Sequence, residues 1–147
     1  MVIAALDAFS FETLVSEHDA LEVMAETLLR LVDAGDLDAA LAQRTIFAAA
    51  INTHLMRDAV EVHPMLVACN DGATSMAAAD FCAQFVKLEA DWETYLDAWD
   101  HARAHADRTA FSCATHAIVE QLRARIDVEN TRLYPIALRA AVLRLRA

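Results

Sequence analysis

The chain has 147 residues, 57% of them hydrophobic, with 22 acidic against 12 basic side chains and a formal net charge of −10. That length suits one domain with a real core, and the acidity speaks against nucleic acid, whose phosphates need a basic stripe. Two glycines and two prolines in the whole chain favour long uninterrupted helices over a turn-rich β fold.

In chain order, helix A is expected from Ser10 or Phe11 to Ala34. Phe11, Leu14, His18, Leu21, Ala25, Leu28, Leu29 and Val32 recur at threes and fours, the spacing of one buried stripe. Gly35-Asp36 stops it, with Gly35 as C-cap. Helix B is expected from Asp38 to Asn70, with Phe47, Ala50, Ile51, His54, Asp58, Val62, Met65 and Cys69 on its stripe. Asn70-Asp71-Gly72 then turns the chain. Helix C, capped by Thr74 or Ser75, carries Phe81, Phe85, Leu88, Glu89, Trp92, Leu96 and Trp99. Helix D follows a break between Asp107 and Thr109 and carries Phe111, Ile118, Leu122, Arg125, Glu129, Leu133 and Ile136. Short connections make neighbours antiparallel, so the expected fold is all-α, one up-down-up-down antiparallel four-helix bundle spanning residues 1–147.

The two prolines close two copies of one phrase. His54-Leu-Met-Arg-Asp58-Ala-Val-Glu-Val-His-Pro64 returns as Arg125-Ile-Asp-Val-Glu129-Asn-Thr-Arg-Leu-Tyr-Pro135. In each copy a carboxylate stands four residues after a nitrogen side chain, so the two share a helix face. Imidazole with carboxylate is a ligand set for iron, manganese or zinc. In the second copy the base is Arg125, which stays protonated and cannot ligate. Each proline should bend or shorten its helix.

On helical wheels His18, His54, Asp58, Arg125 and Glu129 fall inside apolar stripes, while Glu89 and Glu61 lie at the edges of theirs. Counted outward from the turns at about 1.5 Å per residue, His18, His54, Asp58, Glu89, Arg125 and Glu129 reach one depth. Charges buried there must be paired, neutralised or bound to an ion. Two readings follow. In one, His18, His54, Asp58, Glu89 and Glu129 surround one or two divalent ions. In the other, Arg125 is the cation of a closed, metal-free network with the same carboxylates. His63, His101, His105 and His116 point away from their stripes. The His101/His105 pair has metal-compatible spacing but an outward face. Trp92, Tyr95 and Trp99 read as core filling; Tyr134, five residues after Glu129, reads as a packed tyrosine, with a hydroxyl donated to the layer as the alternative.

With these motifs in place, the chain resembles the hemerythrin-like, or HHE cation-binding, family. Leu14-Val-Ser-Glu17-His18-Asp-Ala-Leu21 is similar to the family's first-helix motif, and His54-x-x-x-Asp58 with Pro64 to its second-helix His-x-x-x-Glu phrase. Arg125-Ile-x-x-Glu129-Asn-x-x-Leu133-Tyr134-Pro135 resembles the matching phrase of the fourth helix. The resemblance runs from Ser10 to about Ala140. It implies a four-helix bundle around non-heme iron, mono- or dinuclear, and activities in oxygen binding, iron handling, or sensing of oxygen, nitric oxide or redox state. This chain departs from the pattern at Arg125, at the shorter Asp58, and on helix C, where Glu89 or Glu93 must stand in for histidine.

The expected function is therefore a non-heme metal protein with an altered site and no turnover of an organic substrate. The alternative is a metal-free regulatory or interaction module. No phosphate loop, nucleophile elbow or Ser/His/Asp set points to an enzyme. The start, MVIAALDAFS, reads as neither signal peptide nor anchor, and no stretch approaches the roughly 20 apolar residues of a membrane span. Cys69, Cys82 and Cys113, odd in number and without Cys-x-x-Cys, read as buried free thiols of a cytoplasmic protein. Base rates alone allow a symmetric homodimer, and neither oligomeric state nor a protein partner is legible in the sequence.

Overall fold

The computed structural model describes residues 11–67 and 72–145, and among them every regular element is helical. Helix α1 (Phe11–Asp33) buries Leu14, His18, Leu21, Ala25, Leu28, Leu29 and Val32, the stripe its period predicts. Gly35 ends it at φ 76°, where a side chain would be strained. The Asp36 N–H donates to the Leu31 carbonyl at 3.1 Å and the Gly35 N–H to that of Val32 at 3.1 Å. These are the paired bonds of a Schellman stop. Asp36 then starts the next helix by accepting from the Ala39 N–H at 3.3 Å.

That helix, α2 (Leu37–Arg57), passes through a π-helical turn (Asp58–Val62) into α3 (His63–Val67). The second copy of the repeated phrase does the same: α6 (Arg108–Val128) passes through a π-helical turn (Glu129–Leu133) into α7 (Tyr134–Leu145). Both turns begin at the carboxylate and end two residues before the proline. In each, a bond spans five residues instead of four: the His63 N–H donates to the Asp58 carbonyl, and the Tyr134 N–H to that of Glu129. A proline has no N–H and its ring presses on the carbonyl four residues back. Opening the preceding turn by one residue relieves that pressure without ending the helix. The prolines thus neither shorten these helices nor stop them.

Between these rods lie α4 (Gly72–Ala98) and α5 (His101–Ala106). Gly72, the first residue described after residue 67, is already helical, so Thr74 and Ser75 lie inside α4 and not at the expected cap position. Helix C also ends earlier than expected. Asp100 accepts from the Arg103 N–H at 2.8 Å to start α5, and Asp107 accepts from the Ala110 N–H at 3.0 Å to start α6. The end expected near Asn70 and the turn there, together with Cys69, lie outside the described residues.

Helix α1 packs against α2 and α6, α4 against α6 and α3, and α3 against α7. The apolar interior forms two clusters. One contains Leu21, Ile51, Trp92, Phe111 and Leu122; the other contains Leu14, Val62, Phe81 and Leu133. Along each rod the polar residues fall between the clusters: His18 between Leu14 and Leu21, His54 and Asp58 between Ile51 and Val62, Arg125 and Glu129 between Leu122 and Leu133. Trp92, Tyr95 and Trp99 are buried as core, with the Tyr95 hydroxyl on Thr115 Oγ1 at 2.8 Å. Cys113 is exposed and Cys82 half-buried, which corrects the expectation of buried thiols; both are free. No helix among the described residues is long and apolar enough to cross a membrane.

Candidate metal centre

Helix α1 supplies His18, α2 supplies His54, and the second π-turn supplies Glu129. His18 and Glu129 are each 1% exposed and His54 4%. Their ligand atoms converge. His18 Nε2 lies 2.8 Å from His54 Nε2 and 2.8 Å from Glu129 Oε2, and His54 Nε2 lies 3.3 Å from the same oxygen. Asp58, fully buried, brings Oδ2 to 3.2 Å from His54 Nε2.

The far nitrogens of the two rings decide what the near ones offer. His18 Nδ1 donates to Asn130 Oδ1 at 2.7 Å, and His54 Nδ1 donates to Glu17 Oε2 at 2.8 Å. Asn130 Oδ1 and the Glu17 carboxylate can only accept, so each ring carries its proton on Nδ1. Neutral imidazoles in that tautomer turn two Nε2 lone pairs on each other, 2.8 Å apart and beside a carboxylate oxygen. Lone pairs so placed repel unless a cation sits among them, either a proton or a metal. Tetrahedral bonds of about 2.0–2.1 Å set neighbouring ligand atoms about 3.3 Å apart, so a small divalent ion needs only a slight opening of the triangle. A ligand histidine that donates its other N–H to a carbonyl or carboxylate is the usual arrangement behind a metal. The donor set fits one ion.

In the metal-free chain the cation is a proton on His54. Burial opposes it, but hydrogen bonds to Asp58 and Glu129, the Asp58 charge, and Glu17 raise its pKa to about 10. Burial likewise pushes the Asp58 carboxyl up. Glu129 is held well below the usual carboxylate range: burial opposes this, but its close contacts with the His18 and His54 rings and the Arg125 charge outweigh it.

Arg125 closes the other side. Its Nε donates to Glu129 Oε1 at 2.7 Å, its Nη1 donates to the Phe81 carbonyl at 3.1 Å, and its Cζ stands 5.0 Å from the Phe85 ring centre. Nη2 is buried without a hydrogen-bond partner among the described residues. Glu129 is thus shared, one oxygen to the guanidinium and one to the histidines.

Two expectations fail here. Glu89 is exposed and takes no part in the layer. Leu88, one residue earlier, takes the inward direction, and a 100° step carries Glu89 to solvent, where its charge needs no partner. Helix α4 therefore contributes a backbone carbonyl and an aromatic face. The second is the preference for packing at Tyr134, where the structure takes the alternative of a hydroxyl donated to the layer. Its hydroxyl donates to Asp58 Oδ1 at 2.9 Å and stands 3.2 Å from His18 Nε2. On an ordinary helix, five residues from Glu129 is about 140° off its face; the π-turn brings the two back together. His63, at the matching place in the first copy, also turns inward: it is half-buried, edge-on to Phe85 at 5.4 Å, and burial pushes its pKa down. Glu17 and Asn130 were not singled out as site residues. Glu17 also holds Arg57 Nε at 2.9 Å, which fixes the carboxylate behind His54.

The surface histidines are not isolated. His101 Nε2 and His105 Nε2 both donate to Asp38 Oδ1, at 2.9 and 3.0 Å, and His116 Nε2 donates to Asp33 at 2.8 Å. Hydrogen bonds from His105 and then His101 lower the Asp38 pKa.

In comparisons with known proteins, the model of the hemerythrin HHE cation-binding domain matches residues 10–137. Neither the curated proteins nor the solved structures gave a significant match.

Proposed function

We propose a mononuclear non-heme iron site for this chain, which belongs to the hemerythrin HHE cation-binding family. His18, His54 and Glu129 would hold the ion, with Asp58 alongside. The carrying observation is the pair of Nε2 lone pairs turned on each other by Asn130 and Glu17. Bound iron would supply reversible coordination of a small diatomic ligand or a one-electron redox change. Arg125 limits the site to one ion, because its guanidinium occupies Glu129 Oε1, the oxygen a second ion would need. Tyr134 holds a hydroxyl proton beside the ligands, directed at Asp58.

A binding or sensing role without turnover of an organic substrate is supported by the space beside the site. A cavity of about 30 Å³, lined by Leu21, Phe47, Ile51 and Leu122 with His54 and Glu129, adjoins the ligands. That volume admits one or two water-sized molecules and no metabolite. The family fold that carries this reading is the up-down-up-down four-helix bundle. Cross-helix pairs support it, since numbers rise on one rod as they fall on its neighbour: Glu22 with Arg123 and Asp33 with His116, Phe81 with Arg125 and Tyr95 with Thr115.

The test is metal analysis with absorption and electron paramagnetic resonance spectra, on protein purified without chelator and after anaerobic Fe(II) addition. Near one iron per chain is expected, lost in His18→Ala and His54→Ala. A chain that takes up no iron under either condition overturns the reading and leaves the metal-free Arg125 network in its place.

A further inference from the structure

Sixteen residues before His54 on the same rod, Asp38 occupies the first turn of α2. At about 1.5 Å per residue that is about 24 Å from the buried layer, too far to share an ion. His101 and His105 stand one turn apart on α5 with ring centres 4.4 Å apart, and both Nε2 atoms reach one oxygen of Asp38. Three ligand atoms from two helices therefore meet at a point.

The platform beneath them is set before any ion arrives. Asp100 caps α5, Asp107 caps the helix after it, and Ala104 is fully buried beneath α5. The Arg103 guanidinium stacks over Trp99 at 4.9 Å, across the interruption between α4 and α5. The histidine rings thus project from a fixed backbone, which reduces the ordering a ligand must impose.

We propose that Asp38, His101 and His105 form a second, surface divalent-cation site, of zinc type, that ties α5 to the start of α2. Two imidazoles and a carboxylate are a three-ligand zinc set that leaves a position for water. The nitrogen-to-oxygen distances of 2.9 and 3.0 Å are a few tenths of an ångström below a tetrahedral edge of about 3.3 Å. The side chains of His101 and Asp38 are 71% and 76% exposed, so both can open by that much. The ion takes the place of the Nε2 proton on each ring; that proton passes through solvent to Nδ1 of a neutral ring, or to bulk water from a doubly protonated one, and both rings keep their places on Asp38. A net charge of −10 concentrates cations at the surface and favours entry. Borderline ions with a taste for imidazole, Zn²⁺, Ni²⁺ and Cu²⁺, fit better than Mg²⁺ or Ca²⁺, which prefer oxygen.

The experiment is a Zn²⁺ titration of the full chain, read by equilibrium dialysis and by the imidazole Cε1–H resonances. The His101 and His105 resonances should move together and saturate. The wild type should bind one more equivalent of Zn²⁺ than the His101→Ala/His105→Ala variant, whose iron uptake at the buried layer is unchanged. Asp38→Asn, which leaves the Asp36 cap intact, should weaken the binding about tenfold or more, since even an outer-shell loss costs that much. Equal zinc stoichiometry in wild type and double variant overturns the proposal. So does a titration that shifts other histidines while His101 and His105 stay unmoved in the wild-type chain.

Discussion

The two copies of the repeated phrase share a backbone and differ in their charge. Each runs base, carboxylate, π-turn, polar aromatic ring, proline: His54, Asp58, His63, Pro64 in one and Arg125, Glu129, Tyr134, Pro135 in the other. In the first the base can lose its proton and ligate. In the second it is a fixed cation that takes half of Glu129 and spreads its other face on Phe85. Equivalent places in the backbone thus give one copy a ligand and the other a counter-charge. On the proposed iron reading, the buried layer is half of a dinuclear site, completed by a guanidinium.

The largest effect should come from removing that guanidinium. Arg125→Ala leaves Glu129 and Asp58 buried with less positive charge, and breaking a buried pair costs about 3–5 kcal/mol. Chemical denaturation of the chelated protein measures it. A loss below about 1 kcal/mol would mean that His54 already neutralises the layer alone and that the two copies are not electrically complementary. Arg125→His should cost less in the presence of Fe(II), because a restored imidazole frees Glu129 Oε1, and bound iron should rise toward two per chain. An unchanged iron count would show that helix α4, which offers only Phe81 and Phe85 here, is the missing ligand source.

A pH profile separates the two bases next. In metal-free protein the His54 pKa is raised from 6.5 to about 10, so the folded state binds the proton more tightly than the unfolded chain. Its contribution is fully present below about pH 6.5 and fades as pH rises through about 10. Arg125 keeps its proton throughout. Denaturation midpoints of chelated wild type and His54→Gln should therefore differ most at low pH and converge above about pH 10. Iron competes for the same lone pair, so the loaded protein should show a flatter profile. A difference between the two proteins that stays constant across this range would break the assignment of the proton to His54.

Much of this site was legible because burial of charge is costly. His18, His54, Asp58, Arg125 and Glu129 could be picked out as polar residues on apolar stripes, and all are buried. Glu89 was misplaced because an edge position on a wheel can rotate either way, and only the packing of Leu88 resolves it. His63 was hidden by the wheel itself, which turns 100° per residue and does not know of a π-turn, and the same rotation made packing the preferred reading of Tyr134 over a hydroxyl donated to the layer. The signal was present, since the carboxylate-to-proline spacing is the same in both copies. Glu17 and Asn130 could not be read because their role depends on how one helix is rotated toward another. The break at Asp100 was missed for a simpler reason: an apolar period continued across it through Trp99, and a capping aspartate there was the only warning.

A smaller effect tests whether the aromatic members of the two copies differ as their bases do. Tyr134→Phe removes the donor to Asp58 Oδ1 and leaves that buried oxygen without its 2.9 Å partner. Leaving a buried acceptor unsatisfied costs about 1–3 kcal/mol. The ring still stacks on His18 at 5.4 Å, so packing should survive. His63→Phe removes no comparable bond, because His63 Nε2 has no hydrogen-bond partner among the described residues, and it should fall within about 0.5 kcal/mol of wild type if the larger ring is accommodated. Iron loading should shift the first comparison further than the second, since only Tyr134 stands beside the His18 ligand atom. Equal losses in the two variants would mean that the hydroxyl of Tyr134 is incidental and that the π-turns serve packing alone. A clear gap between them, widened by iron, would show that the second π-turn brings a proton donor to the ligand side of the layer, while its twin brings only a ring.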